Sequence, residues 1–182
     1  PPCMRLGALL ALASSACLAG CAPVDQPVEV EEVGTTIAAI SVEEAVTAGC
    51  STKQVEGLSL QIIAQGNCVN PGAYVELPAK PNANLGSAVL PYIQEPARDA
   101  LAAALDENPN TDMQINSMLR TVAQQYLLYR WYQNGTCGIG LAASPGNSNH
   151  ESGLAIDISQ YSTWRPILEA KGFDWLGSND PV

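Results

Sequence analysis

The chain has 182 residues, with 8 Lys+Arg against 18 Asp+Glu and a formal charge of −10. That balance argues against a nucleic-acid binder, since it offers no basic surface to neutralise phosphates, and an apolar content of 47% argues against wholesale disorder. The single histidine, His150, excludes any site that draws two or three imidazoles from this chain alone.

In chain order, residues 4–21 open with one positive charge at Arg5, continue as an apolar run and close on Leu18-Ala19-Gly20-Cys21. The run is shorter than the ~20 apolar residues of a membrane span. Its layout is that of a secretory signal over residues 1–20. The closing tetrapeptide resembles the bacterial lipobox, which implies lipidation of Cys21, anchoring to a membrane and export to the cell envelope. Pro1-Pro2-Cys3 ahead of Met4 reads as translation begun upstream of the true start. Residues 21–44 carry Asp25, Glu29, Glu31, Glu32, Glu43 and Glu44, no base, and two prolines, and read as an acidic tether.

Periodicity predicts helices over 41–48 and 52–65, the second ended by Gly66-Asn67, with 45–84 forming an N-terminal extension. A short strand is predicted at 73–77 and a loop at 80–86. Residues 95–106 place Ala97, Ala100, Leu101, Ala104 and Leu105 on one helical face. A strand over 113–119 and a second strong helix over 121–133 follow. Residues 144–149 are irregular, 154–158 alternate as a strand, 164–171 form a helix, and 173–176 begin a last strand. The three tryptophans read as packing residues. The mixture lacks a regular βαβ period and predicts an α+β domain.

Export implies an oxidising compartment, where cysteines pair. Cys50 and Cys68 bracket one helix and are expected to be bridged. Cys137 is then left over, either a free thiol or paired outside the chain. No C-x-x-C spacing supports a zinc knot.

Residues 148–157, Ser148-Asn149-His150-Glu151-Ser152-Gly153-Leu154-Ala155-Ile156-Asp157, carry the chemistry. On a straight strand His150 and Asp157 would stand ~23 Å apart, and on a helix ~10 Å. A turn at Gly153 would instead lay His150 over the start of a strand bearing Asp157. Imidazole plus carboxylate is a normal zinc donor set. Asp157 lies among apolar neighbours, where an unpartnered charge is costly. Glu151 is expected to face solvent.

The pattern Ser-x-His-x-x-Gly-x-Ala-x-Asp resembles the signature of the zinc D-alanyl-D-alanine carboxypeptidases of the Hedgehog/DD-peptidase fold, a family that includes the VanY-like peptidoglycan peptidases. At average residue usage it arises by chance in only about 1 in 10,000 chains of this length. Ser117-x-x-Arg120 followed by Gln125, and the Ala-Ser-Pro-Gly-Asn-Ser run before His150, are similar to the same family. The resemblance covers roughly residues 85–182.

What the resemblance implies is specific. The fold would be α+β, a small antiparallel sheet flanked by helices. His150 and Asp157 would be ligands of Zn2+. Arg120 would bind the substrate carboxylate, with Gln125 supporting it, and Ser148 would bind substrate or orient the site. A third ligand, a histidine near the end of the family's domain, would fall just past Val182, the domain being cut short at its carboxyl end, so the 182 residues by themselves are expected to bind zinc weakly and hydrolyse little. Asp180 would then be the general base, although the family more often has Glu there. The substrate would be a peptidoglycan stem peptide. The alternative is a non-catalytic peptidoglycan-binding lipoprotein that keeps the fold without the full metal set.

Overall fold

A computed structural model describes residues 40–177. The signal, Cys21, most of the tether and Asp180 lie outside the described residues. Everything described falls in one compact unit, Val33–Val182. Among these residues no helix is long and apolar enough to cross a membrane.

The chain opens with helix α1 (Val42–Ala48), a 3-10 turn (Thr52–Val55) and helix α2 (Glu56–Val69). Short strands β1 (Val75–Glu76), β2 (Ala83–Leu85) and β3 (Tyr92–Ile93) follow. Helix α3 (Glu95–Glu107) leads to strand β4 (Met113–Ser117), helix α4 (Val122–Asn134), strand β5 (Asp157–Ile158) and helix α5 (Tyr161–Glu169). The architecture is α+β. β1 and β3 form an antiparallel pair, while the other sheet runs β2-β4-β5. In it β4 pairs parallel with β2 and antiparallel with β5, so the expected all-antiparallel sheet is corrected to a mixed one.

Local chemistry sets the element ends. Ser41 and Glu44 form a capping box on α1, and Thr121 and Gln124 form another on α4, each satisfying amides that a helix start leaves unpaired. Gly135, left-handed at φ 61°, closes α4. Gly66-Asn67 does not end α2, which runs to Val69. The Asn67 amide instead donates to Tyr74 O and accepts from Tyr74 N, both at 2.8 Å, stitching the helix to the segment before β1. The expected loop 80–86 contains β2, because Asn82 is buried and donates to Leu105 O and Asn108 O at 3.0 Å while Met113 N donates to Asn82 O. Residues 173–176 form no strand, and the strand expected over 154–158 is cut to its last two residues.

The main core lies between the β2-β4-β5 sheet, α3 and α5, around Leu101, Leu105, Met113, Ile115, Met118 and Trp164. A second cluster, Ala45, Val46, Val55, Ala123, Leu127 and Trp131, packs α1 and the 3-10 turn on α4. Trp131 donates its indole N–H to Val46 O at 2.9 Å. Trp131 and Trp164 are buried, while Trp175, 45% exposed, packs at the surface and stacks on Tyr161.

Cys50 is bonded to Cys137, 87 residues away, and not to Cys68. Beyond Gly135 the chain doubles back, and Cys137 itself takes a left-handed φ of 55°. That return brings the end of α4 against the turn after α1. The bridge therefore ties the N-terminal extension onto the rest of the unit. Replacing both cysteines by alanine is expected to cost about 2–5 kcal/mol, since the cross-link closes a long loop in the unfolded chain. Urea denaturation of the double variant, with a correspondingly lower midpoint, checks this.

Candidate active site

Three backbone features converge on one place. The first is the junction where β4 ends and α4 begins, the stretch from Ser117 to Thr121. The second is β5, whose Asp157 lies directly across from Ser117. Two residues advance on β4 for one on β5 between Ile115 and Ser117. Such a bulge bends its strand and re-aims side chains. The third is the loop 144–153.

That loop is held by its own polar groups. The Glu151 carboxylate accepts from Gly146 N at 2.9 Å and from Ser148 N at 3.1 Å, so it secures the turn and does not simply face solvent. Ser148 Oγ accepts from His150 N at 3.3 Å. Gly153 closes the turn at φ 68° by donating to His150 O at 3.2 Å, and its own carbonyl accepts from Gln94 N at 2.9 Å. Tyr74 lies against it and donates from its hydroxyl to Glu151 O at 3.2 Å. Arg120 N donates to His150 O at 3.1 Å, which locks the loop to the β4–α4 junction.

The result joins residues far apart in sequence. His150 is buried, and its Nδ1 lies 2.8 Å from Met118 O and 3.3 Å from Ser117 Oγ. A carbonyl only accepts, so Nδ1 carries the proton and Nε2 is turned toward Asp157. Nε2 stands 3.2 Å from Asp157 Oδ2. Arg120 Nη2 reaches the same oxygen at 3.5 Å and donates to Ser117 Oγ at 3.1 Å. Arg120 Nη1 donates to Gln125 Oε1 at 3.1 Å, and Gln125, itself 1% exposed, donates to Ala143 O at 2.7 Å. Burial lowers the Arg120 pKa from its ordinary value, while Asp157 and then Glu151 oppose that shift. A guanidinium so placed keeps its charge at neutral pH.

The spacing of His150 and Asp157 is compatible with two ligands of one zinc ion. With metal–donor bonds of about 2.0–2.1 Å and tetrahedral angles, two ligands of one zinc stand about 3.3 Å apart. The Nε2–Oδ2 separation matches that edge, and the Nδ1–H held by Met118 O would leave Nε2 free to face an ion. Among the described residues no group of three or more His, Cys, Asp or Glu side chains converges to hold a metal, so these two are the donors in view. A cleft of about 170 Å³ lies over Arg120 and Asp157, with Asn116, Ser117, Val89 and Thr52 in its walls.

The motif residues Arg120, Gln125, Ser148, His150 and Asp157 are thus found within one hydrogen-bonded network, with Ser148 holding the loop. Ser117, noted in the sequence only as a strand-end motif residue, touches both His150 and Arg120. Tyr74, Gln94 and Thr52 carried no local signal; their proximity arises from tertiary packing.

A family model described as D-alanyl-D-alanine carboxypeptidase, VanY, matches residues 88–180. No curated protein matches the chain. The matched stretch includes every motif residue above, and excludes Thr52 and Tyr74.

Gly153 is the position where geometry leaves least freedom. A Cβ there would lie 3.1 and 3.2 Å from two Tyr74 ring carbons, and an L side chain at positive φ is strained. Gly153→Ala is expected to cost about 1–3 kcal/mol. Adding Tyr74→Ala should relieve the contact but not the backbone strain, and thermal denaturation of the two variants with Tyr74→Ala as reference separates these parts.

Proposed function

The chain belongs to the VanY D-alanyl-D-alanine carboxypeptidase family, and from that membership we propose that it is a zinc-dependent peptidase of the bacterial cell envelope acting on peptidoglycan stem peptides. The observation that carries the zinc assignment is the 3.2 Å separation of His150 Nε2 and Asp157 Oδ2. His150 and Asp157 would hold the ion. A third protein donor and the proton acceptor Asp180 lie, on this reading, outside the described residues.

An ion held by His150 and Asp157 would supply Lewis-acid chemistry, making a nearby water more acidic and a carbonyl more electrophilic. The chain's own groups do the rest. Arg120 receives the substrate's terminal carboxylate, for which a planar guanidinium fork is suited. Ser117 and Gln125 hold that fork, so the carboxylate is met by a pre-ordered donor set and the peptide bond is placed beside the metal pair. Asp180, outside the described residues, would take a proton from the attacking water and pass it to the leaving amine. Asp157 serves two neighbours at once: its negative charge offsets Arg120 and faces the imidazole.

Export fits the Leu18-Ala19-Gly20-Cys21 signal, with Cys21 as lipid anchor, and a Cys50–Cys137 bridge suits an oxidising compartment.

Metal analysis of the protein incubated with zinc and then dialysed should find one ion per chain, lost in His150→Ala. Release of D-alanine from acetyl-lysyl-D-alanyl-D-alanine should stop on chelation and return with zinc. Zinc retention without any hydrolysis would instead support the reading of a peptidoglycan-binding lipoprotein. In Arg120→Ala the metal content should persist while KM rises about 30-fold or more, the size expected for losing charge-assisted hydrogen bonds. Equal loss of zinc in that variant would make Arg120 a structural residue.

A further inference from the structure

Of the residues lining the cleft, the one outside the family match is Thr52. It stands in the N-terminal extension, in the short turn that follows Cys50, yet it shares the cleft with Arg120 and Asp157. We propose that Thr52 is a specificity-determining residue that, together with Arg120, selects peptides by their free carboxyl end, an inference that rests on the peptidase reading above.

Thr52 is fixed from every direction. Two residues before it, Cys50 is bonded to Cys137 beyond α4. Ser51 caps the turn by accepting from Lys53 N at 3.3 Å. Val55, 4% exposed, anchors the turn in the cluster formed with α1 and α4. The buried hydroxyls of Ser59 and Thr121 meet at 2.8 Å and pin α2 to the start of α4. Gln124 Nε2 then donates to Thr52 Oγ1 at 3.4 Å.

Because Oγ1 accepts from Gln124, the Thr52 proton stays available for donation, and Thr52 lines the cleft. A hydroxyl and a guanidinium border this cleft, where the Asp157 carboxylate is offset by Arg120, 3.5 Å away, so these two donors can meet an incoming carboxylate. Asn116, Ser117, Gln124 and Asp157 share the lining with the aliphatic Ala88, Val89, Leu119 and Leu128. At about 170 Å³ the space is well below the ~300–1,000 Å³ of drug-sized ligand sites. The space suits a compact, carboxylate-bearing end group, with the extension supplying one of its walls.

The test is equilibrium titration of the full chain with acetyl-lysyl-D-alanyl-D-alanine and with its C-terminal amide, followed by NMR with chelator present so that no turnover intervenes. Wild type should prefer the acid over the amide. Thr52→Val, which keeps the shape and removes the hydroxyl, should weaken acid binding about tenfold and leave amide binding as it was. Thr52→Ser should restore it. A Thr52→Val chain that binds the acid like wild type, equal binding of acid and amide by wild type, or binding of neither, each overturns the inference. D-Alanine release by the zinc-loaded wild type is measured in parallel. Release with unaltered Thr52→Val binding removes the role of Thr52 alone; no release with weakened binding retains that role and removes the peptidase reading.

Discussion

The approach of the His150 imidazole to the Asp157 carboxylate, 3.2 Å across a turn of seven residues, is the contact on which the site depends. Neither regular helix nor regular strand produces it. It requires Gly153 at a positive φ, and it requires both ends of the turn to be held from outside. One end is held by the Arg120 N–H on His150 O, the other by the pairing of Asp157 with Ser117. The imidazole is then oriented by Met118 O, a backbone group that side-chain replacement cannot remove. Tautomer and ring direction are therefore set by the fold, before any ligand arrives.

The β4–α4 junction serves all partners at once. Within four residues it provides the Ser117 hydroxyl, the Met118 carbonyl, the Leu119 bridge to Leu90 and the Arg120 guanidinium. Burying Arg120 disfavours its charge, and the opposing influence comes first from Asp157. The cation is thus retained in a partly desolvated place, where a fixed charge acts on a ligand more strongly than it would in water. A half-satisfied buried network would be costly. Here Gln125 continues the network inward to Ala143 O, so the fork is held on the side away from the cleft.

Much of this was legible in the residues. Helices α3 and α4 announce themselves through 3.6-residue periodicity and capping chemistry, because both act over a few residues. The Ser148–Asp157 pattern pointed to the loop and to His150 and Asp157, which the fold brings together, since a motif concentrates chemistry in a short span. What was not legible depends on distant pairing. Strand β2 looks like a Pro- and Asn-rich loop until Asn82 is buried against α3. The bridge was assigned to Cys50 and Cys68 because they flank one helix. The actual partner, Cys137, comes near only after α4 has run its length and the chain has reversed at Gly135. Asp180 carries its proposed role on the motif alone, outside the described residues.

The extension shows how a family fold acquires a feature from outside the matched region. Residues 42–69 lie before the stretch that matches the family, yet they are not a loosely tethered attachment. Val46 and Val55 belong to the same apolar cluster as Leu127 and Trp131, so α4 has one side committed to the extension while its first turn carries Gln124 and Gln125 toward the cleft. Any shift of the extension against α4 would have to break the Trp131–Val46 hydrogen bond and strain the Cys50–Cys137 bridge. Close-packed interiors transmit such displacements and do not absorb them. The position of the cleft wall and the position of the guanidinium are therefore two ends of one rigid body, which is why a residue of the extension can share in recognition at a site built by the family's own motif.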